Sequence, residues 1–534
     1  MKYSTMKFFL TVIFCSGFLM NVSAQVSGQT AVSPYGNSPH ESFQLLSGQS
    51  TYSISLNDNY LFLVNDNKQK VLFNPARASA TDYGFVQTSF TGGASDNFDA
   101  AILVPAKTGS WFITLGGAVD SDDTDSELED FYQNFYVRGV APSRTETLEE
   151  QLTIETINRR NEENQAEFRL LKVFESGAGS GKAVGVFGGF SKVQQSNVRT
   201  NSEDFFQEIQ NFRMDTLFSR SEYEKELRDR NSTKLVNNKL IAGIEYYSWT
   251  ENGDMRHRFY IQRNDFDYQN EGFWRSESIT EITIINDENR DLANARVQED
   301  QNISTAEPWQ FRYDIYKNKH LNLFGDDYLF GNLQFVFGFG DQVAYMNAQR
   351  VESNTVNGET ESQIIYDFEE ELEDPKTNFI GGRFSTGYAV TLNAEDFALV
   401  TGVNPYYELS FEAVNRLNGA DKQEVSVTQQ HIGGELPAFV MFDIGSNVKL
   451  WGGGSLNVNH SGVKTEIEET PYEAVPDREI PDIESVNHFR ETNFQQNIYA
   501  GISYLHDSGF GINANARGNW SNLNNWFVSF SYQF

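Results

Sequence analysis

The chain reads as all-β, a transmembrane antiparallel β-barrel of 14–16 strands with short periplasmic turns and long acidic extracellular loops. Three observations predict this. The last ten residues alternate strictly and end on an aromatic carboxylate. Amphipathic segments of about ten residues recur along the chain, the length a tilted strand needs to cross a bilayer. The connections between them sort into short ones on one side and long polar ones on the other.

The closing segment carries the clearest pattern. Trp526, Val528, Phe530, Tyr532 and Phe534 point one way, and Phe527, Ser529, Ser531 and Gln533 the other. Side chains on a strand alternate faces with a period of two, so one face is apolar and the other mostly polar. The terminal Phe534 resembles the closing residue of bacterial outer-membrane barrels, which the barrel-assembly machinery recognises. That resemblance implies a partner for this end and a place in the bacterial outer membrane.

At the other terminus Lys2 and Lys7 precede an apolar run from Phe8 to Met20, and Val22-Ser23-Ala24 follows. A charged region, a short apolar core and a small-residue site are the marks of a secretory signal peptide, predicted here as residues 1–24. The only cysteine, Cys15, lies inside it, which leaves no disulfide, thiol nucleophile or Cys-ligated metal in residues 25–534. No later segment approaches eighteen consecutive apolar residues, so no helical span is expected.

Counting back from Phe534, strands are expected near 525–534, 509–517, 494–505, 447–459, 434–444, 397–412, 377–392 and 327–340. They continue near 307–317, 255–265, 234–250, 182–193, 165–175, 110–119, 99–106 and 82–92. This is sixteen, with fourteen left open. Turn sequences such as His506-Asp507-Ser508, Glu251-Asn252-Gly253-Asp254 and Lys107-Thr108-Gly109 join them on one side. The other side receives 120–164, 194–233, 266–306, 341–376, 413–433 and 460–493. A compact soluble domain rarely carries so many long connections. Within 377–392, Ile380, Phe384, Tyr388, Val390 and Leu392 oppose Thr377, Arg383, Ser385, Gly387 and Thr391. A charge facing lipid near the midplane costs roughly 2–4 kcal/mol, so the polar set is assigned to the lumen.

The formal net charge is −33, and nearly all of the excess lies in the six long connections. That sign argues against nucleic acid as a partner. Asp120, Asp122, Asp123 and Asp125 form one dense group and Glu369 to Asp374 another. Oxygen-rich clusters suit Ca²⁺, yet the glycine and closing glutamate of a calcium hand are missing. A solvated acidic surface is the plainer reading, and no other cofactor is indicated. Two helices are expected in the loops. Residues 146–160 place Leu148, Leu152 and Ile157 on one face, and Ser202-Glu203-Asp204 caps a run carrying Phe205, Phe206, Ile209 and Phe212.

Residues 25–81 precede the barrel, 82–534, as a hatch or periplasmic segment. Asn65-Asp66-Asn67 and then Val71-Leu72-Phe73-Asn74-Pro75-Ala76-Arg77-Ala78 lead into the first strand. This stretch resembles the long-chain fatty-acid transporter (FadL-like) family, in which an N-terminal hatch with an Asn-Pro-Ala signature plugs the lumen just before the first strand. Here the tripeptide is Asn74-Pro75-Ala76. The family's following Gly-Leu is Arg77-Ala78 in this chain, and its barrel has fourteen strands. Asn74 suits the cap of a turn, Pro75 fixes φ and Ala78 is small enough to pack inside a barrel.

The resemblance implies uptake of small hydrophobic molecules. Phe205, Phe206, Ile209 and Phe212 would form the entry surface, and Arg383 and Lys239 would meet a carboxylate head group or pair with Glu245 or Glu408. The alternative is a binding or adhesion protein that uses the barrel as an anchor for its acidic loops. Enzymatic activity is not expected. The chain has seven histidines, and in Asn459-His460-Ser461 adjacent residues on an extended chain face opposite ways, so they cannot form a triad among themselves.

Overall fold

A computed structural model describes residues 67–534 except short stretches at the strand connections, the longest being 471–482. The expected signal peptide and residues 25–66 lie outside the described residues. The fold is a closed antiparallel barrel of sixteen strands. In chain order they are β1 (Phe85–Gly92), β2 (Asp96–Ala106), β3 (Gly109–Val140), β4 (Ser143–Gly177), β5 (Ser180–Arg213) and β6 (Thr216–Thr250). Then come β7 (Gly253–Ile284), β8 (Arg290–Ala306 and Trp309–His320), β9 (Asp326–Val356), β10 (Glu359–Glu371 and Lys376–Asn393) and β11 (Phe397–Asn418). The last five are β12 (Asp421–Ile444), β13 (Val448–Thr470), β14 (Ile483–Leu505), β15 (Phe510–Asn519) and β16 (Asn522–Gln533).

Each strand pairs with its sequence neighbours, and β1 closes the cylinder against β16, with Phe85 opposite Gln533 and Gly92 opposite Trp526. The backbone of Phe534 also exchanges hydrogen bonds with Gly84, at 2.9 and 3.0 Å. All sixteen expected strand positions fall on these strands. β8 is one strand in two pieces because Pro308 has no N–H for the ladder. Both pieces keep the same register against β7 and β9.

The faces lie as a membrane barrel requires. Outward, Phe190, Leu240, Ile244, Phe337, Ile380, Phe384, Phe530 and Tyr532 are exposed. Inward, Gln87, Ser89, Thr114, Glu245, Thr377, Ser385 and Ser529 are buried. A soluble sandwich would invert this arrangement. Positive-φ glycines such as Gly253 and Gly509 sit in the short turns at the end where β1 begins and β16 stops.

The long connections differ from expectation. They are mostly strand: the paired strands run on far past the apolar belt, and β4 and β6 reach 35 residues each. At about 3.3 Å per residue such a strand spans roughly 115 Å, against the nine to eleven residues a bilayer needs. The two expected loop helices are absent. Residues 146–160 belong to β4 and 202–213 to β5, paired across the sheet with Leu148 opposite Glu208 and Gln151 opposite Phe205. The physical reason is the template below. Strands that leave the belt in register can extend their ladder by one hydrogen-bonded pair at a time, whereas a helix would have to start a separate nucleus.

The upper wall is open on one side. β1, β2, β15 and β16 have only 8, 11, 10 and 12 residues. The last pairing of β2 with β3 is Asp96 opposite Val119, so β3 above that point pairs only with β4 among the described residues. The ladder between β14 and β15 likewise begins only at Ile498 opposite Gly518 among the described residues.

Candidate functional site

The lumen is occupied at the short-turn end by the segment just before β1. Asn67–Phe73 forms a short helix, α1, and Pro75–Ala80 a 3₁₀ turn. Asn74 caps that turn as expected: its side chain accepts a hydrogen bond from Ala76 N at 3.1 Å, and Pro75 takes the first position, where no N–H is needed. Ala76 and Ala78 are fully buried, at 0% and 1% exposure.

Two different surfaces receive this segment. Val71, Leu72, Ala76 and Ala78 pack against Phe85, Leu103, Phe112, Leu171 and Val173 of β1 to β4. Phe73 turns to the other side of the lumen and joins Tyr316, Phe330, Val400, Phe439, Trp451 and Tyr499 from β8, β9 and β11 to β14. It meets Tyr316 edge to face at 5.5 Å. Lys68 reaches a third point, donating to Ser531 Oγ of β16 at 2.8 Å. Contacts therefore run around the wall, and the segment is a plug and not a tail along one side. The close fit has a local signature at Gly181 of β5. A Cβ there would lie 2.1 Å from Ser79 Oγ and 2.3 Å from Ala76 O, so only glycine lets the plug sit this near the wall.

A polar latch holds the plug to β7. Arg77 donates twice to the Asp254 carboxylate, at 2.8 and 2.6 Å, and Asn74 Nδ2 donates to the same group at 2.8 Å. Asn74 Nδ2 also reaches Ser248 O at 3.0 Å. Asn318 of β8 completes the group: it donates to Asp254 Oδ2 at 3.2 Å and accepts from Asp254 N at 2.8 Å. The Arg77 guanidinium lies 5.5 Å from the Trp249 ring centre. Asp254 is 1% exposed at its side chain and Arg77 16%. A carboxylate so far from water is stable only while these donors surround it. Sequence reasoning placed Asp254 in a turn and missed the latch. The usable signal was an arginine one residue past Asn-Pro-Ala, a charge in a segment expected to be buried.

Beside the plug, a buried ionic cluster crosses three strands. Glu245 accepts from Arg169 at 2.8 and 3.1 Å, from Arg258 at 3.1 Å and from Tyr247 OH at 2.6 Å. Glu245 is thus held by arginines of β4 and β7. The expected lumen charge Arg383 lies over Tyr406 at 4.3 Å and 3.8 Å from Glu408, so that pairing is present. Lys239 is on β6, four strands from Arg383, and the structure does not bring the two together.

The remaining candidates lie in the upper wall. Alternation splits the expected aromatic face: Phe205 and Ile209 share one face of β5 and Phe206 takes the other. Phe205 packs on Tyr223 with 6.0 Å between ring centres, and Arg144 lies over Phe212 at 4.6 Å. Phe205 and Phe206 line a cavity of about 370 Å³ with Phe131, Leu152, Lys225 and Ile279. Nearby, Gln210 and Arg220 donate to Glu208 at 2.5 and 2.6 Å and hold its carboxyl below the usual carboxylate range.

The calcium candidates are on extended β3, where Asp120 and Asp122 face one way and Asp123 and Asp125 the other. Asp123 pairs with Arg160 at 3.7 Å. No group of three or more His, Cys, Asp or Glu suited to a metal occurs among the described residues.

The site and fold together define a plugged transmembrane β-barrel. No family model matches the chain, and a search of curated proteins returns no match. Solved structures with some likeness include the ferric-catecholate import receptor Fiu from E. coli K12, at 6% identity and a TM-score of 0.20, covering 85% of this chain and 82% of that one. The copper transporter OprC shows 10% identity and a TM-score of 0.21, covering 84% and 80%. The transport unit of the autotransporter AIDA-I from E. coli shows 14% and 0.21, covering 59% and 89%. At such scores the likenesses carry no argument about this chain.

Proposed function

We propose that the chain is an outer-membrane conduit for small molecules, closed at rest by its own residues 67–80 and opened when the latch at Asp254 lets go. The observation that carries this reading is the plug bound to the inner wall on several sides by side chains specific to it. A barrel used only as an anchor has no need of an internal latch. The seat also suggests the cargo class. One side of the lumen is aromatic, around Phe330, Phe439 and Tyr499, and the other is ionic, around Arg169, Glu245 and Arg258. An apolar molecule with a small charged head, the class handled by the FadL-like family that Asn74-Pro75-Ala76 resembles, suits that division. Arg383 is the head-group contact favoured here.

The test is planar-bilayer conductance of the full chain and of Asp254→Asn, with mass spectrometry of molecules that co-purify. Low conductance in the native chain, a rise in the variant and a bound amphiphile are expected. Equal conductance in both would end the conduit reading. A second reading, a surface-binding protein, is favoured by one feature, the strands of up to 35 residues that stand far above the belt.

A further inference from the structure

A cavity lies in the upper wall, far from the plug. It has a volume of about 740 Å³ and spans seven consecutive strands, β4 to β10, within the range of roughly 300–1,000 Å³ usual for small-molecule sites. Its position on the sheet follows from register. From β3 to β8 the pairings run without a shift through the whole height between the belt and this cavity. Side chains therefore keep the face they had below. Thr200 and Ser202 share the face of Phe190, Arg228 that of Leu240, Phe273 that of Phe259, and Glu299 that of Trp309. Most of the lining thus continues the lipid-facing surface and not the lumen. The cavity opens over the membrane surface.

Its chemistry is polar. Ile154 and Phe273 are the only apolar side chains in the lining, and the rest, glycine aside, are hydroxyls, amides and charged groups. An acyl chain finds little there to replace its loss of apolar neighbours. On this face two arginines, Arg228 and Arg230, stand against three carboxylates, Glu271, Glu299 and Asp367. Arg228 is already engaged by Asp204 at 3.1 Å and Glu226 at 2.9 Å. The remaining field repels anions.

We propose that this cavity binds a neutral oligosaccharide. A sugar ring offers hydroxyls that both donate and accept, which matches carboxylates, amides and hydroxyls in one wall, and an apolar C–H face that rests on a single aromatic such as Phe273. The saccharide has two sources of the same chemistry, a chain attached to lipid of the surrounding outer leaflet or a free glycan. The proposal relies on the barrel standing in the membrane and not on its acting as a conduit.

The experiment uses the full chain in phospholipid nanodiscs, applied to an array of neutral and anionic oligosaccharides. Binding to neutral members is expected, weakened tenfold or more in Phe273→Ala and unchanged in Phe494→Ala on distant β14. Nanodiscs that also contain lipopolysaccharide with a neutral saccharide chain separate the sources. Lost array binding there assigns the site to the membrane-attached chain, and retained binding assigns it to free glycan. No neutral binding, binding to anionic members only, or equal binding by Phe273→Ala would each overturn the proposal.

Discussion

The same strands live in two solvents, and their lower and upper parts obey different rules. In the belt, β5 and β6 alternate between an exposed apolar set (Val184, Val186, Phe190, Leu240, Ile244) and a buried inner set (Ala183, Phe187, Ser191, Glu245, Tyr247). Above it, charged and polar residues occupy both faces, with apolar side chains such as Phe205 and Phe206 scattered among them and ion pairs such as Arg199–Glu155 and Arg160–Glu162. Exposed pairs contribute little each, about 0–1 kcal/mol. The upper wall is therefore held by its backbone ladder and by the register imposed from below, while the belt and plug depend on particular side chains.

Four substitutions probe that contrast, in falling order of effect. Asp254→Ala leaves the Arg77 charge in a mostly buried place without its partner, a loss of about 3–5 kcal/mol where such pairs are broken. The plug should become sensitive to protease near Arg77, and a native-like digestion pattern would contradict the latch. Ile244→Arg puts a charge on the lipid face, at roughly 2–4 kcal/mol. Denaturant titration of the barrel in liposomes should show a matching drop in folding stability. Next comes Gly181→Val, which forces side-chain atoms against Ser79 and Ala76 and should cost about 1–3 kcal/mol as overpacking. Its signature is raised conductance with an intact barrel; unfolding of the barrel instead would mean that the wall, not the plug, took the strain. The smallest change is expected for Thr200→Lys, high in the wall on the face of β5 that continues the lipid-facing surface, within about 0.5 kcal/mol. A loss as large as that of Ile244→Arg would show that the two regions do not differ.

The same contrast explains what was legible in the sequence. In the belt each strand must show lipid one face and the lumen the other, so a period of two is written into residues such as 377–392. All sixteen strands could be placed from it. The upper wall meets water on both faces, and nothing forces its residues to alternate. There Leu148, Leu152 and Ile157, or Phe205, Phe206, Ile209 and Phe212, fall at helical spacing without forming helices. The capped turn before β1 was legible through Asn74-Pro75-Ala76, because cap and proline chemistry is local. Its anchor was not: Asp254 is 177 residues from Arg77, and no local pattern ties a turn aspartate to a distant arginine.

The unequal strand lengths leave β3 with a bare upper margin. Backbone groups along such a margin recruit further strands, from another copy as readily as from any passing chain. Between Asp120 and Asp130 this margin carries seven carboxylates. Two copies aligning there would bring like charges face to face along the whole seam, which is costly in a strand pair. Like charges spaced along this margin therefore oppose its pairing with a second copy.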